Sequence, residues 1–170
     1  MSRSKLPLLW INLLAFVLGA NWIIFSKEEH LRSGRMLLLE ASQYDPRSLM
    51  QGDYMVLRYA ICNEIDAKIE AAARGEGQVV LGGDANDVGH FRRLHAGEAL
   101  AADEILLHYR ILWGRADKVR VAAEEFFFQE GLAAEFERAR YAELRVTAAG
   151  RTLLVALRDD QRRRIGEKPK

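Results

Sequence analysis

The chain has 170 residues, 25 Lys+Arg against 24 Asp+Glu, and a single Cys. That length fits one domain of ordinary size, and the near-neutral charge argues against nucleic-acid binding, which calls for a basic face. One Cys excludes an internal disulfide and any multi-cysteine metal site.

Residues 1–5 form a short basic N-terminus with Arg3 and Lys5. Residues 6–25, LPLLWINLLAFVLGANWIIF, contain no Asp, Glu, Lys, Arg or His. Twenty helical residues span roughly 30 Å, the hydrocarbon thickness of a bilayer. Trp10 and Trp22 lie toward the two ends, where aromatic rings favour the interface. Asn12 and Asn21 are polar amides that need a partner at that depth. A cleaved signal peptide would have a shorter apolar core and small residues at its cleavage site. The best small candidate here, Ala20, has Leu18 two positions before it, so an uncleaved transmembrane anchor is expected. Two basic side chains precede this segment and three follow it closely (Lys27, Arg32, Arg35), which leaves the positive-inside rule undecided. The short basic leader resembles that of a signal anchor with its domain outside the cytoplasm, and an unpaired Cys62 is compatible with an oxidising compartment.

Residues 26–35 read as a polar juxtamembrane connector, 36–158 as a globular domain and 159–170 as a disordered polar tail. Everything from residue 27 onward carries 23 Lys+Arg and 24 Asp+Glu, which is neither a polybasic lipid binder nor an acidic tail. A strand is expected at 35–41. Turn signals at Asp45-Pro46 and Gln51-Gly52 precede a central strand at 53–61. On its pleat Met55, Leu57, Tyr59 and Ile61 share the bulkier, core-facing side. A helix over 63–74 would be capped by Asn63 and stopped by Gly75. A hairpin pairs 78–81 with 90–94 across GGDAND, and further strands are expected at 104–113 and 118–121. A second helix over 132–140 and a hairpin joining 141–147 to 151–157 complete the series. The fold class is therefore α+β or mostly β, an antiparallel β-rich domain with two short helices behind one N-terminal transmembrane helix.

The block 42–59 reads SQYDPRSLMQGDYMVLRY. Gly52, Asp53, Tyr54, Leu57 and Tyr59 fit G-D-Y-x-x-L-x-Y without exception, and the chain resembles the bacterial GDYXXLXY family that this pattern names. DPRSLMQ (45–51), FFFQEG (126–131) and RYAELRV (140–146) are also similar. The resemblance implies a membrane-anchored bacterial protein and fixes no activity. Its relatives are often encoded beside multi-spanning membrane proteins, which implies a partner of that kind.

Read from the residues, the motif is structural first. Gly52 can supply positive φ, Asp53 can bond turn amides, and Tyr54, Leu57 and Tyr59 can pack on both faces. A functional reading makes Asp53 and Arg58 a ligand-binding pair. The stretch Ser48–Asp53 is also similar to the T-L-x-x-G-D stretch of membrane-anchored signal peptidases. Their nucleophile position is Tyr44 here, and neither Lys68 nor Lys118 supplies the desolvated base that Ser42 or Ser48 would need. No catalytic residue is assigned. His90 and His95 fall on opposite faces of one strand, and Asp84–Asp87 lacks the ligand spacing of a calcium loop, so neither a metal nor another cofactor is expected. Three adjacent rings, Phe126 to Phe128, cannot all enter one core, so one is left to face a partner or a membrane.

The candidate binding residues are Asp45, Ser48, Gly52, Asp53, Tyr54, Leu57, Arg58, Tyr59, Gln129, Glu130 and Gly131. The expected function is that of a non-catalytic accessory protein of the bacterial inner membrane, its domain in the periplasm. The alternatives are a hydrolase related to signal peptidases and a module binding envelope ligands.

Overall fold

The apolar N-terminal stretch forms one helix, α1 (Leu6–Ser33), in a computed structural model that describes residues 6–44, 54–69, 75–112 and 119–166. Leu8, Trp10, Phe16, Leu18, Trp22 and Phe25 are all exposed, and the helix is uncharged on every side as far as Phe25. It is long and apolar enough to cross a membrane, with a mean hydropathy of 2.0. Asn12 and Asn21 satisfy themselves: each Nδ2 donates to the carbonyl four residues back, Leu8 and Val17, at 2.8 Å. The helix continues through most of the expected connector to Ser33, whose hydroxyl donates to the Glu29 carbonyl.

The chain divides into two units, Met1–Gly34 and Arg35–Lys170. The second holds two antiparallel sheets. One contains β1 (Arg35–Tyr44), β2 (Tyr54–Tyr59), β7 (Glu125–Phe127), β8 (Tyr141–Val146) and β9 (Thr152–Arg158), in the order β7-β2-β1-β8-β9. The other contains β3 (Gly75–Gly83), β4 (Gly89–Leu94), β5 (Glu104–Ile111) and β6 (Val119–Arg120), in the order β4-β3-β5-β6. The α+β, mostly β class expected from the sequence is therefore the class observed. The motif strand β2 stands second from the edge, and the centre belongs to β1, which pairs with both β2 and β8. Position 113, given to a strand in the sequence reading, lies outside the described residues.

One core joins the sheets. Leu37 and Leu39 of β1, Met55 and Leu57 of β2, Leu81 of β3 and Leu107 of β5 all pack in it. β4 comes so close to β1 that a Cβ on Gly89 would stand 2.8 Å from Leu37 Cδ1, so a larger residue there would have to push core leucine side chains aside. At the other end the tip of the β8–β9 hairpin docks on the edge of β5. The His108 amide donates to the Gly150 carbonyl at 2.9 Å, and Gly150 has φ 81°.

Three expectations are corrected. Helix α2 (Ala60–Asp66) starts directly after β2, with Tyr59 at its N-cap and no side-chain cap, so Asn63 lies inside the helix. Ile61 and Ile65 then form its buried stripe. The second helix, α3 (Ala133–Phe136), is a single turn with Leu132 at its N-cap. Residues 159–166 of the polar tail make defined contacts with the domain. Asp159 is buried and accepts from the Arg163 amide at 2.8 Å, the Ile165 amide donates to the Leu157 carbonyl, and Gly166 lies against the Phe136 ring.

Candidate functional site

The alternation of β2 decides where the motif residues go. Met55, Leu57 and Tyr59 point into the core, while Tyr54, Val56 and Arg58 point away from it. The Tyr59 hydroxyl donates to the Ala123 carbonyl at 2.5 Å, tying β2 to the segment that leads into β7. Arg58 is exposed opposite Ser42 of β1, whose hydroxyl donates to the Arg58 carbonyl at 3.4 Å. Asp45, Ser48, Gly52 and Asp53 lie outside the described residues, as does the Asp53–Arg58 pair as a unit.

β7 runs beside β2 with Tyr54 opposite Phe127 and Met55 opposite Phe126. The FFFQEG run is thus divided by the same pleat. Phe126 and Phe128 turn inward onto Phe136, with ring centroids 5.5 and 4.8 Å away. Phe127 turns outward, 61% exposed, and its ring lies 5.7 Å from that of Tyr54. Gly131 takes φ 86° in the turn after β7, where the Leu132 amide donates to the Gln129 carbonyl. Gln129 and Glu130 are exposed there, and Glu130 does not cap α3. The structure therefore brings Tyr54 together with the FFFQEG run on the rim of the five-stranded sheet. Leu57 and Tyr59 stay beneath them in the core.

Two openings flank this rim. An open groove of about 430 Å³ is lined by Ala122, Ala123, Glu124, Glu125 and Phe127 with Arg120. A smaller cleft of about 140 Å³ on the α2 side is lined by Ser42, Tyr59, Cys62 and Glu124 among others. Burial pushes the Cys62 thiol up to about 12, so it stays protonated and a poor nucleophile at neutral pH. The Asp84 carboxylate accepts from the amides of Val88 and Asn86, which hold it below its usual range, and so closes the β3–β4 hairpin. No three His, Cys, Asp or Glu side chains converge as metal ligands among the described residues.

Two groupings have no counterpart in the sequence reading. Glu143 is fully buried on β8 and is held by two arginines. Arg158 Nε donates to its Oε2 at 2.8 Å, and Arg164 donates to Oε2 and Oε1 at 2.8 and 2.7 Å. The second grouping gathers Arg110, Arg120 and Arg151 around a cleft with Glu76 and His108. The alternation H-Y-R on β5 was its one sequence signal, since it puts His108 and Arg110 on the same face.

Together these features define a class: a two-sheet antiparallel domain behind an apolar N-terminal helix, with one motif tyrosine in the core and another on an aromatic rim. The chain belongs to the GDYXXLXY family, whose model, described as GDYXXLXY protein, matches residues 16–157. Comparisons with curated proteins and with solved structures return no match.

Proposed function

We propose that this protein is a non-catalytic docking protein, anchored in the bacterial inner membrane by α1 and presenting its β domain to a multi-spanning membrane partner from the periplasmic side. The outward pair Tyr54–Phe127 carries this reading. A large ring left 61% exposed on an edge strand forgoes burial that the core gives its neighbours Phe126 and Phe128. Exposed aromatics beside a groove are the usual anchors of protein interfaces. β7 is the edge strand of its sheet among the described residues, a template for a partner strand. The uncharged part of α1, exposed on all sides, calls for a lipid environment, and that supports the anchor.

The test is copurification of the full-length chain from isolated inner membranes. The wild type should bring down a multi-spanning membrane protein in stoichiometric yield, and Phe127→Asp should lose it while staying folded. Equal recovery with Phe127→Asp contradicts the docking surface. A chain found in the soluble periplasm without residues 1–25 contradicts the anchor.

A further inference from the structure

We infer that residues 159–166 form a strap that positions the docking rim. The strap fixes the Phe136 ring, and that ring holds Phe126 and Phe128 inward, so that Phe127 between them faces out. It acts on the docking surface proposed above, and its role rests on that reading.

A tight reversal builds the strap. The Arg163 amide donates to Asp159 Oδ1 at 2.8 Å and Arg163 Nε to Oδ2 at 3.0 Å, while the Arg162 amide donates to the Asp159 carbonyl at 2.9 Å. Arg162 takes φ 62°, a left-handed conformation that a side chain disfavours, so these bonds rather than local preference hold the turn. The returning chain then lies along β9. Arg164 bridges Arg158 in antiparallel register, and the Ile165 amide donates to the Leu157 carbonyl at 2.9 Å. Successive side chains of an extended segment point to opposite faces. Arg164 thus reaches Glu143 on one face, and Ile165 packs against the core on the other.

Gly166 follows with φ 81°, so close to Phe136 that a Cβ there would stand 3.1 Å from the ring Cζ. Phe136 belongs to α3, a single turn without a side-chain cap, and so short a helix is not stable through its own hydrogen bonds. The position of its ring is therefore set by what packs on it: Gly166 from the strap, and Phe126 and Phe128 at 5.5 and 4.8 Å. β7 is equally dependent, with three residues where a usual strand has roughly 5–6. Anchoring the two rings that flank Phe127 fixes the pleat between them, and the pleat decides which way Phe127 points. Loosening the strap would free Phe136, and with it β7, while leaving Tyr54 and Phe127 chemically intact.

The test compares the full-length chain, in a maltoside detergent, with a chain ending at Arg164, which keeps the Arg164–Glu143 pair but lacks Ile165 and Gly166. Amide hydrogen exchange is read on peptides covering 125–128 and, as a reference, the buried 79–81 of β3. Exchange at 125–128 should rise about tenfold, the size of one lost ring contact, with 79–81 unchanged. Phe136→Leu in the full-length chain keeps apolar burial but removes the ring, and should do the same. Combining the two changes should add little, because both act through one ring. Copurification of the membrane partner should fall in step with the exchange at 125–128. No rise at 125–128, or an equal rise at 79–81, overturns the strap. So does full recovery of the partner by the chain ending at Arg164 when Phe127→Asp has lost it. The exchange measurement needs no partner, so equal recovery with Phe127→Asp contradicts docking, while exchange alone still decides whether the strap holds β7.

Discussion

The Tyr59 hydroxyl reaches the Ala123 carbonyl from a side chain only 3% exposed, whereas Tyr54, five residues earlier, lies tilted beside a ring that faces outward. The two tyrosines of the motif should respond differently to mutation. Tyr59→Phe leaves a carbonyl without its donor and should cost about 1 kcal/mol. Leu57→Ala opens a core cavity and should cost about 2–5 kcal/mol, while Tyr54→Ala should stay below about 1 kcal/mol. Chemical denaturation of the three variants checks this order. Burial also raises the Tyr59 phenol above its ordinary value and the Cys62 thiol from 9.0 to about 12. A raised folded pKa contributes stability that is complete below the unfolded value and is lost as pH rises, so stability should decline above pH 9. The core side of β2 was legible because strand alternation is local and its odd positions are all bulky. The cap of α2 was not. Asn63 favours an N-cap in isolation, but the helix begins at Ala60 straight from the strand and buries Ile61 with Ile65.

Among the elements, the C-terminal turn gains its order from a distant partner. Arg164 lies 21 residues from Glu143, so no local pattern in DDQRRRIG announces the pairing. Seen locally the segment is polar and aperiodic, which is why it read as disordered. The Glu143 carboxyl is held near 2, first by the hydrogen bond from Arg164 and then, against the cost of desolvation, by Arg158. A depressed folded pKa contributes stability that is present above the unfolded value of 4.5 and is lost as pH falls through about 2. The shift corresponds to stability on the order of 3 kcal/mol. Glu143→Gln should therefore flatten the acid limb of the stability curve between pH 4.5 and 2. Ending the chain at Arg158 removes Arg164 from a fully buried carboxylate and should cost about 3–5 kcal/mol at neutral pH. An unchanged acid limb in Glu143→Gln would assign the tail's order to Ile165 and Gly166 instead.

At the scale of the whole molecule, the sequence foretold a long apolar helix and a β-rich domain, because lipid-scale hydrophobicity and strand alternation are both written locally. It did not foretell that FFFQEG would lie against the GDY strand, since that pairing joins residues some seventy positions apart. The same pairing makes the central claim concrete: Phe127 faces a partner. The direct test is a photo-crosslinking residue placed at 127 in the full-length chain in native membranes, with position 94 on the other sheet as control. A discrete adduct from 127 with a multi-spanning membrane protein, absent from 94 and lost on Tyr54→Ala, is the predicted result. No adduct from 127, or the same adducts from both positions, would contradict it.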